Sequence, residues 1–251
     1  MDVHYPTVDE LATPEYVLAV LQDVHRQQYQ DDPEVNPEFV LSPDTTVAEW
    51  REACILFEWR KLARALNEFW GILCSDSDWQ EVLEPATERQ LSDVCALIAR
   101  HAHRPRIRPA HFFGSDCISA GAFLTIRSLL HDAGASAEEI TPSTLLAPYT
   151  RRYCELFTGP ISRLAPGALP LVRVRHRVYD AALRGLLVGM VCGLAGLCMG
   201  MLVLAVAGLL LASGSVGLSW VAVLWLPTSV EFGELRTFRD LALVVSSGAD
   251  A

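Results

Sequence analysis

The side chains best suited to metal binding or catalysis lie between positions 95 and 117. They are two thiols and three imidazoles: Cys95, His101, His103, His111 and Cys117. Structural zinc sites use these ligands, but they draw them from C-x-x-C and His-x3–5-His pairs, and the sequence places neither pair here. Arginines lie among these residues and would repel a divalent cation. We therefore predict no metal site and interpret the three histidines as exposed.

The same segment carries four arginines within nine residues, with two phenylalanines after them: Arg100, Arg104, Arg106, Arg108, Phe112 and Phe113. Basic groups with neighbouring aromatic rings are typical of single-stranded nucleic-acid binding. Residues 1–160, however, contain 25 acidic and 13 basic side chains, a net charge of −12 that repels a polyanion at long range. We predict an extended arginine-rich loop that pairs with acids of its own domain, and no nucleic-acid partner.

Familiar catalytic motifs do not occur in the chain. There is no G-x-S-x-G, no P-loop, no G-x-G-x-x-G and no H-E-x-x-H. A cysteine nucleophile with a histidine base stays open, because such partners need not be close in sequence, but no pattern selects a pair. We assign no catalytic residue and no cofactor. The seven cysteines include no C-x-x-C pair, and we expect no disulfides.

The elements that must position these residues have helical periodicity. Helices are expected over 14–30, 46–70, 87–103, 115–134 and 142–158, and Thr46 with Glu49 forms the clearest N-terminal signature, a capping box. Ile55, Trp59 and Leu62 begin the apolar stripe of the second helix. We predict an all-α fold in which residues 1–160 form an acidic helical domain of five or six helices around one core.

A long apolar run follows this domain. Residues 185–230 contain no Asp, Glu, Lys, Arg or His, a length and composition typical of membrane segments. The polar turn Ser213-Gly214-Ser215 divides the run, which predicts a transmembrane helical hairpin with spans at 185–212 and 216–230 and a short tail at 231–251. A single span is the alternative. The chain is thus expected to be a multi-pass membrane protein with the lipid bilayer as a partner.

A short basic segment joins the acidic domain to the apolar run. Residues 161–184 are rich in proline and arginine, and a basic collar precedes the run at Arg173, Arg175, Arg177 and Arg184. Basic residues close to a span favour the cytoplasmic side, so the N-terminal domain is expected to be cytoplasmic. We interpret the prolines as stiffening a spacer between domain and bilayer.

Glycines in the apolar run share one helix face. Gly185, Gly189, Gly193, Gly196 and Gly200 are spaced by 4, 4, 3 and 4 residues. Small residues on one face let a second helix approach closely. The partner is either the other half of the hairpin or a second copy of the chain, which would make a homo-oligomer.

Two hypotheses for function follow. In the favoured one the helical domain is an interaction or scaffolding module for a cytoplasmic protein, because no catalytic constellation emerges. The alternative is an enzyme or ligand-binding domain at the membrane surface with a site that the sequence does not reveal. A pocket with two or more titratable residues of perturbed pKa would favour the second, and an exposed apolar groove would favour the first.

Overall fold

The chain divides into two units. A computed structural model describes residues 8–28, 36, 38–55, 58–112, 114–175, 177–199, 201–225 and 229–248. The first unit takes in Met1–Arg173 and Phe232–Ala251, and the second takes in Val174–Glu231. The structure is mostly helical with little sheet, which confirms the all-α prediction at that level.

The N-terminal half of the first unit is a helical bundle. Its helices are α1 (Pro14–Gln28), α2 (Val47–Ala53), α3 (Trp59–Trp70), α4 (Asp76–Leu83) and α5 (Leu91–His101). α1 packs against α5, and both contribute to a core whose fully buried members include Val17, Trp79, Leu91 and Ile98. Burying each large apolar side chain contributes about 1.5–3 kcal/mol, so this core is the main stabilising feature of the bundle.

The helix expected over 46–70 is two helices. The capping box forms, with the Glu49 N–H bonded to Thr46 Oγ1 at 3.2 Å and the Thr46 N–H bonded to the Glu49 carboxylate at 2.8 Å. α2 nevertheless ends at Ala53, because Ile55 takes a left-handed conformation with φ 52°. Ile55 is 44% exposed, so its assignment to the core stripe is wrong. α3 ends at Trp70, and Gly71 is its C-terminal cap, where the positive φ of 65° suits a residue without Cβ.

The C-terminal half of the first unit combines distant parts of the chain. It contains α6 (Ile118–Asp132), α7 (Ala147–Arg152), α8 (Cys154–Leu156) and α11 (Phe238–Gly248). α11 packs against α6 and buries Phe238, Leu241, Ala242 and Val245. The sequence division at 231 puts this segment in a separate tail, whereas the structure includes it in the core of the first unit.

The segment expected to be a spacer is also part of the first unit up to Arg173. Leu164, Ala165 and Leu169 are buried. The Arg163 guanidinium lies over the Phe69 ring, 4.0 Å from its centroid, and donates to the Phe69 carbonyl. The Tyr16 hydroxyl donates to the Arg163 carbonyl at 2.9 Å. These contacts hold the segment against the bundle, so up to Arg173 it is not the extended spacer that its prolines predicted.

The described residues also form short two-stranded sheets. β1 (Val8–Leu11) pairs antiparallel with β2 (His103–Arg106), and β3 (Ala110–Phe112) pairs antiparallel with β4 (Ser115–Cys117). β5 (Val172–Arg175) pairs with β6 (Ser229–Phe232), where the chain leaves the first unit and returns to it. Helical periodicity does not reveal strands of three or four residues.

The second unit contains two helices, α9 (Arg177–Cys198) and α10 (Leu202–Trp225). α9 ends at Cys198 and α10 begins at Leu202, so the predicted polar turn is not where the two helices are divided. Ser213 and Ser215 lie within α10, where their hydroxyls donate to the carbonyls of Leu210 and Leu211 at 3.1 and 2.8 Å. Hydroxyls bonded to the preceding turn are compatible with a continuous helix.

The membrane prediction is wrong on this structure. Among the described residues, no helix combines the length and the apolar character needed to cross a membrane. The multi-pass assignment, its single-span alternative and the cytoplasmic placement inferred from the basic collar are withdrawn with it.

Candidate functional site

The arginine–histidine segment is more ordered than the predicted loop. Arg100 and His101 belong to the last turn of α5 and His103–Arg106 form β2, in which Arg106 Nη1 donates to the Glu10 carboxylate at 2.7 Å across the β1–β2 pair. His101, His103 and His111 are exposed, whereas Cys95 is buried in the bundle core. The structure therefore does not bring the two thiols and three imidazoles together. In the part of the chain that the structure describes, no group of three or more His, Cys, Asp or Glu side chains could hold a metal ion.

An open apolar groove lies in the C-terminal half of the first unit, between α6 and α11. Its volume is about 420 Å³. The lining residues come from α6, from α11 and from the loop that precedes α7: Ser119, Ala120, Phe123, Leu124, Pro142, Arg239, Ala242 and Leu243. Almost all of this lining is hydrocarbon, so the groove suits an apolar ligand.

Backbone hydrogen bonds fix the two walls of this groove. The segment before α7 runs alongside the start of α11, where the Arg239 N–H donates to the Pro142 carbonyl at 2.8 Å and the Phe238 N–H donates to the Thr144 carbonyl at 3.1 Å. Phe238 is fully buried and packs edge-on against Tyr149, with ring centroids 5.3 Å apart. The groove is therefore built on anchored helices.

Among the described residues that line the groove, Arg239 is the one that carries a charge. Its side chain is exposed, and its charge helps to lower the pKa of Asp240, after hydrogen bonds from Thr237 and Arg236. The lining thus offers no pair of titratable groups for acid–base chemistry. An apolar surface with one cation at its edge instead favours a ligand that is apolar and carries an acidic group.

A second pocket, of about 220 Å³, lies in the N-terminal bundle between α1, α2 and α3. It is lined by Leu21, Val24, His25, Gln28, Trp50, Cys54, Leu62, Ala65, Leu66 and Phe69. Two of these are chemically competent: the Cys54 thiol lies 3.2 Å from His25 Nδ1. The break between α2 and α3 places Cys54 at the C-terminal cap of α2, facing α1.

The hydrogen bonds of His25 determine its tautomer. His25 Nε2 lies 3.1 Å from the Phe39 carbonyl, which can only accept, so Nε2 carries the proton. In neutral imidazole Nδ1 is then the acceptor, and the Cys54 S–H donates to it. Burial raises the pKa of Cys54 to about 11, partly offset by a hydrogen bond with the Trp50 side chain. Cys54 is therefore a thiol at neutral pH, with a base in contact.

The other cysteines of the first unit differ in environment. Burial raises the pKa of Cys95 to about 12 and also raises that of Cys74. Cys117 precedes the first residue of α6, and hydrogen bonds with the Ser119 side chain and the Ala120 backbone lower its pKa. Sequence spacing shows none of this, since the pKa of each thiol depends on its tertiary surroundings.

The glycines of α9 lie against α10 where the structure describes them. A Cβ built on Gly189 would come within 3.0 Å of the backbone of Gly208 and Ala212, and one on Gly208 would clash with the backbone of Gly193. Gly185 faces the Ser215 side chain, and Gly196 is buried. Gly200 lies outside the described residues. Large apolar side chains elsewhere on both helices, such as Leu194 and Leu209, are exposed.

The basic collar is divided between two elements. Arg173 and Arg175 belong to β5, Arg177 is the first residue of α9, and Arg184 is an exposed residue about two turns further on. The role of these arginines as a collar stays a prediction.

Comparison with family models, with curated proteins and with solved structures finds no match for this chain. The groove and the pocket are therefore the features from which a function is inferred.

Proposed function

We propose that the protein is an interaction module and that its binding surface is the groove between α6 and α11. The observation that supports this is an open, almost wholly apolar channel with one exposed guanidinium in its lining. Apolar grooves between helices are a recurrent docking mode for short peptides, whose apolar residues enter the groove while charged residues pair at its rim. The expected partner is a protein segment with spaced apolar residues and an acidic side chain opposite Arg239.

The test is a selection of short random peptides from a display library on the full chain. Selected sequences should share apolar residues flanked by Asp or Glu. Ala120→Trp fills the groove and should weaken the binding of a selected peptide at least about tenfold, equivalent to about 1.4 kcal/mol. Arg239→Glu should shift the selection from acidic to basic peptides.

The matched control is Leu73→Trp, which adds the same ring at a residue that is 98% exposed and lies in the N-terminal bundle. This variant should bind the selected peptide as the unchanged chain does. Equal binding by the Ala120→Trp and Leu73→Trp variants would contradict the proposal.

A second candidate function is ligand binding in the bundle pocket, favoured by the contact between Cys54 and His25. Self-association through the glycine face and the lack of a nucleic-acid partner stay predictions.

A further inference from the structure

The bundle pocket combines a nucleophile, a base and an apolar cavity. Cys54 and His25 are 4% and 7% exposed, and their Sγ and Nδ1 atoms are 3.2 Å apart. Its described lining contains no Lys, Arg, Asp or Glu, and aliphatic and aromatic side chains supply most of the wall. A ligand of this pocket must therefore have an apolar part. An electrophilic atom that comes near Cys54 Sγ meets a thiol whose proton can pass to His25 Nδ1.

We propose that Cys54 is an acylation site, at which the thiol takes an apolar acyl group from a thioester while His25 acts as base. This site is separate from the groove between α6 and α11, so the proposal goes beyond the proposed function and can fail independently of it. The acyl chain would occupy the space between α1, α2 and α3 that Leu21, Leu62 and Leu66 line.

The transfer needs no oxidant, reductant or metal. His25 Nδ1 takes the S–H proton as Sγ forms a bond to the carbonyl carbon of the thioester. The tetrahedral intermediate then breaks its original C–S bond, and the departing thiolate takes the proton from Nδ1. One thiol and one thioester are consumed and one of each is formed. The Phe39 carbonyl holds the Nε2 proton throughout, which keeps Nδ1 facing the thiol.

The product should persist instead of turning over. The backbone N–H of Cys54 donates to the Trp50 carbonyl at 3.0 Å, and that of Ile55 donates to the Glu52 carbonyl at 3.4 Å. Neither is available as an oxyanion donor, the feature on which fast acyl transfer depends. Burial of Cys54 also keeps water from the thioester. Slow, stoichiometric modification is thus the expected behaviour.

The experiment uses the full chain with Cys117→Ser, which removes the thiol of lowered pKa from competition. The probe is S-octanoyl-N-acetylcysteamine, and the readout is peptide mass spectrometry before and after neutral hydroxylamine, which cleaves thioesters. We expect one octanoyl group on Cys54, and none on Cys74 or Cys95, which are also buried but lie outside the pocket. His25→Asn should slow acylation about 100-fold, the usual contribution of a positioned base.

Two controls separate chemistry from folding. His131→Asn makes the same change at an exposed residue of α6 and should leave the rate unchanged. Octan-1-ol has the same alkyl length as the octanoyl probe but no electrophilic carbon, so it should compete for the pocket and slow acylation of the protein that retains His25. This result does not depend on whether a histidine variant folds. Acylation spread over the thiols, no effect of octan-1-ol, or a folded His25→Asn variant that reacts at the full rate would overturn the proposal.

Discussion

The thiols of the first unit should differ in reactivity because their environments differ. Cys117 is partly exposed and its pKa is lowered by hydrogen bonds with Ser119 and the start of α6, whereas burial raises the pKa values of Cys54 and Cys95 to about 11 and 12. The thiolate is the form that reacts with iodoacetamide. At about pH 7.5, Cys117 should be alkylated well before Cys54 and Cys95.

Peptide mass spectrometry over a time course checks this order. In denaturant the three rates should converge, because burial and the hydrogen bonds are lost. Faster alkylation of Cys95 than of Cys117 in the folded chain would show that the described burial is incorrect.

Tyr16 should make stability depend on pH in alkaline solution. Burial raises the pKa of Tyr16 from 10.0 to about 12, with the charges of Arg163 and Arg104 opposing the rise. The folded chain therefore holds the phenol proton more tightly than the unfolded chain. The resulting stabilisation is complete below about pH 10 and is lost as the pH rises towards 12; its upper limit is about 3 kcal/mol.

The measurement is the free energy of unfolding in denaturant from about pH 9 to about pH 12, a range that covers both pKa values of Tyr16. Tyr16→Phe is the control, since it removes the phenol and keeps the ring on Trp70. The buried thiols contribute the same slope to both proteins. Parallel curves for the two proteins would contradict the account.

At the scale of elements, local signals were sufficient for some helices and not for others. Neighbouring residues alone predict three helix boundaries: the capping box of α2, the N1 proline of α1 and Gly71 after α3. The break after Cys54 has no such signal, because neither glycine nor proline marks the left-handed Ile55. α11 did have one: Thr237 and Asp240 form a capping pair, with the Asp240 N–H bonded to Thr237 Oγ1 at 3.3 Å.

Close packing of α6 depends on a residue without a side chain. A Cβ on Gly121 would lie inside contact distance of the Arg108 carbonyl, which is backbone and cannot rotate away. Gly121→Ala should therefore reduce the free energy of unfolding by about 1–3 kcal/mol or more, the usual effect of overpacking. Gly159→Ala is the matched control, because nothing lies within 4 Å of its added Cβ. Equal losses in the two variants, measured by denaturant unfolding, would rule out this contact.

At the scale of the whole molecule, the C-terminal helix should be needed for the stability of the first unit. Phe238 is fully buried, and its replacement by Ala should reduce the free energy of unfolding by about 3–5 kcal/mol. Leu243→Ala on the same helix is the control; the side chain is 52% exposed, and the loss should be much smaller. A small effect of Phe238→Ala would mean that α11 behaves as the separate tail that the sequence suggested.

The candidate sites were beyond sequence reasoning for a topological reason. The groove joins α6 to a helix that follows about a hundred residues later, after the entire second unit, and the pocket joins His25 to Cys54 across two helices. Periodicity describes one element at a time and does not specify which elements meet. The apolar run shows the same limit, because its composition predicted membrane spans, whereas no helix among the described residues has the length and apolar character to cross a membrane.

The central claim is that α11 forms one wall of a binding groove, and photo-crosslinking tests it most directly. A benzophenone amino acid is placed at Leu243 on α11 or, as the control, at Leu73, and each full-length chain is irradiated with a peptide selected by the display experiment. We predict a covalent adduct from position 243 and none from position 73. Adducts of equal yield from both positions, or retained binding with no adduct from position 243, would contradict the claim.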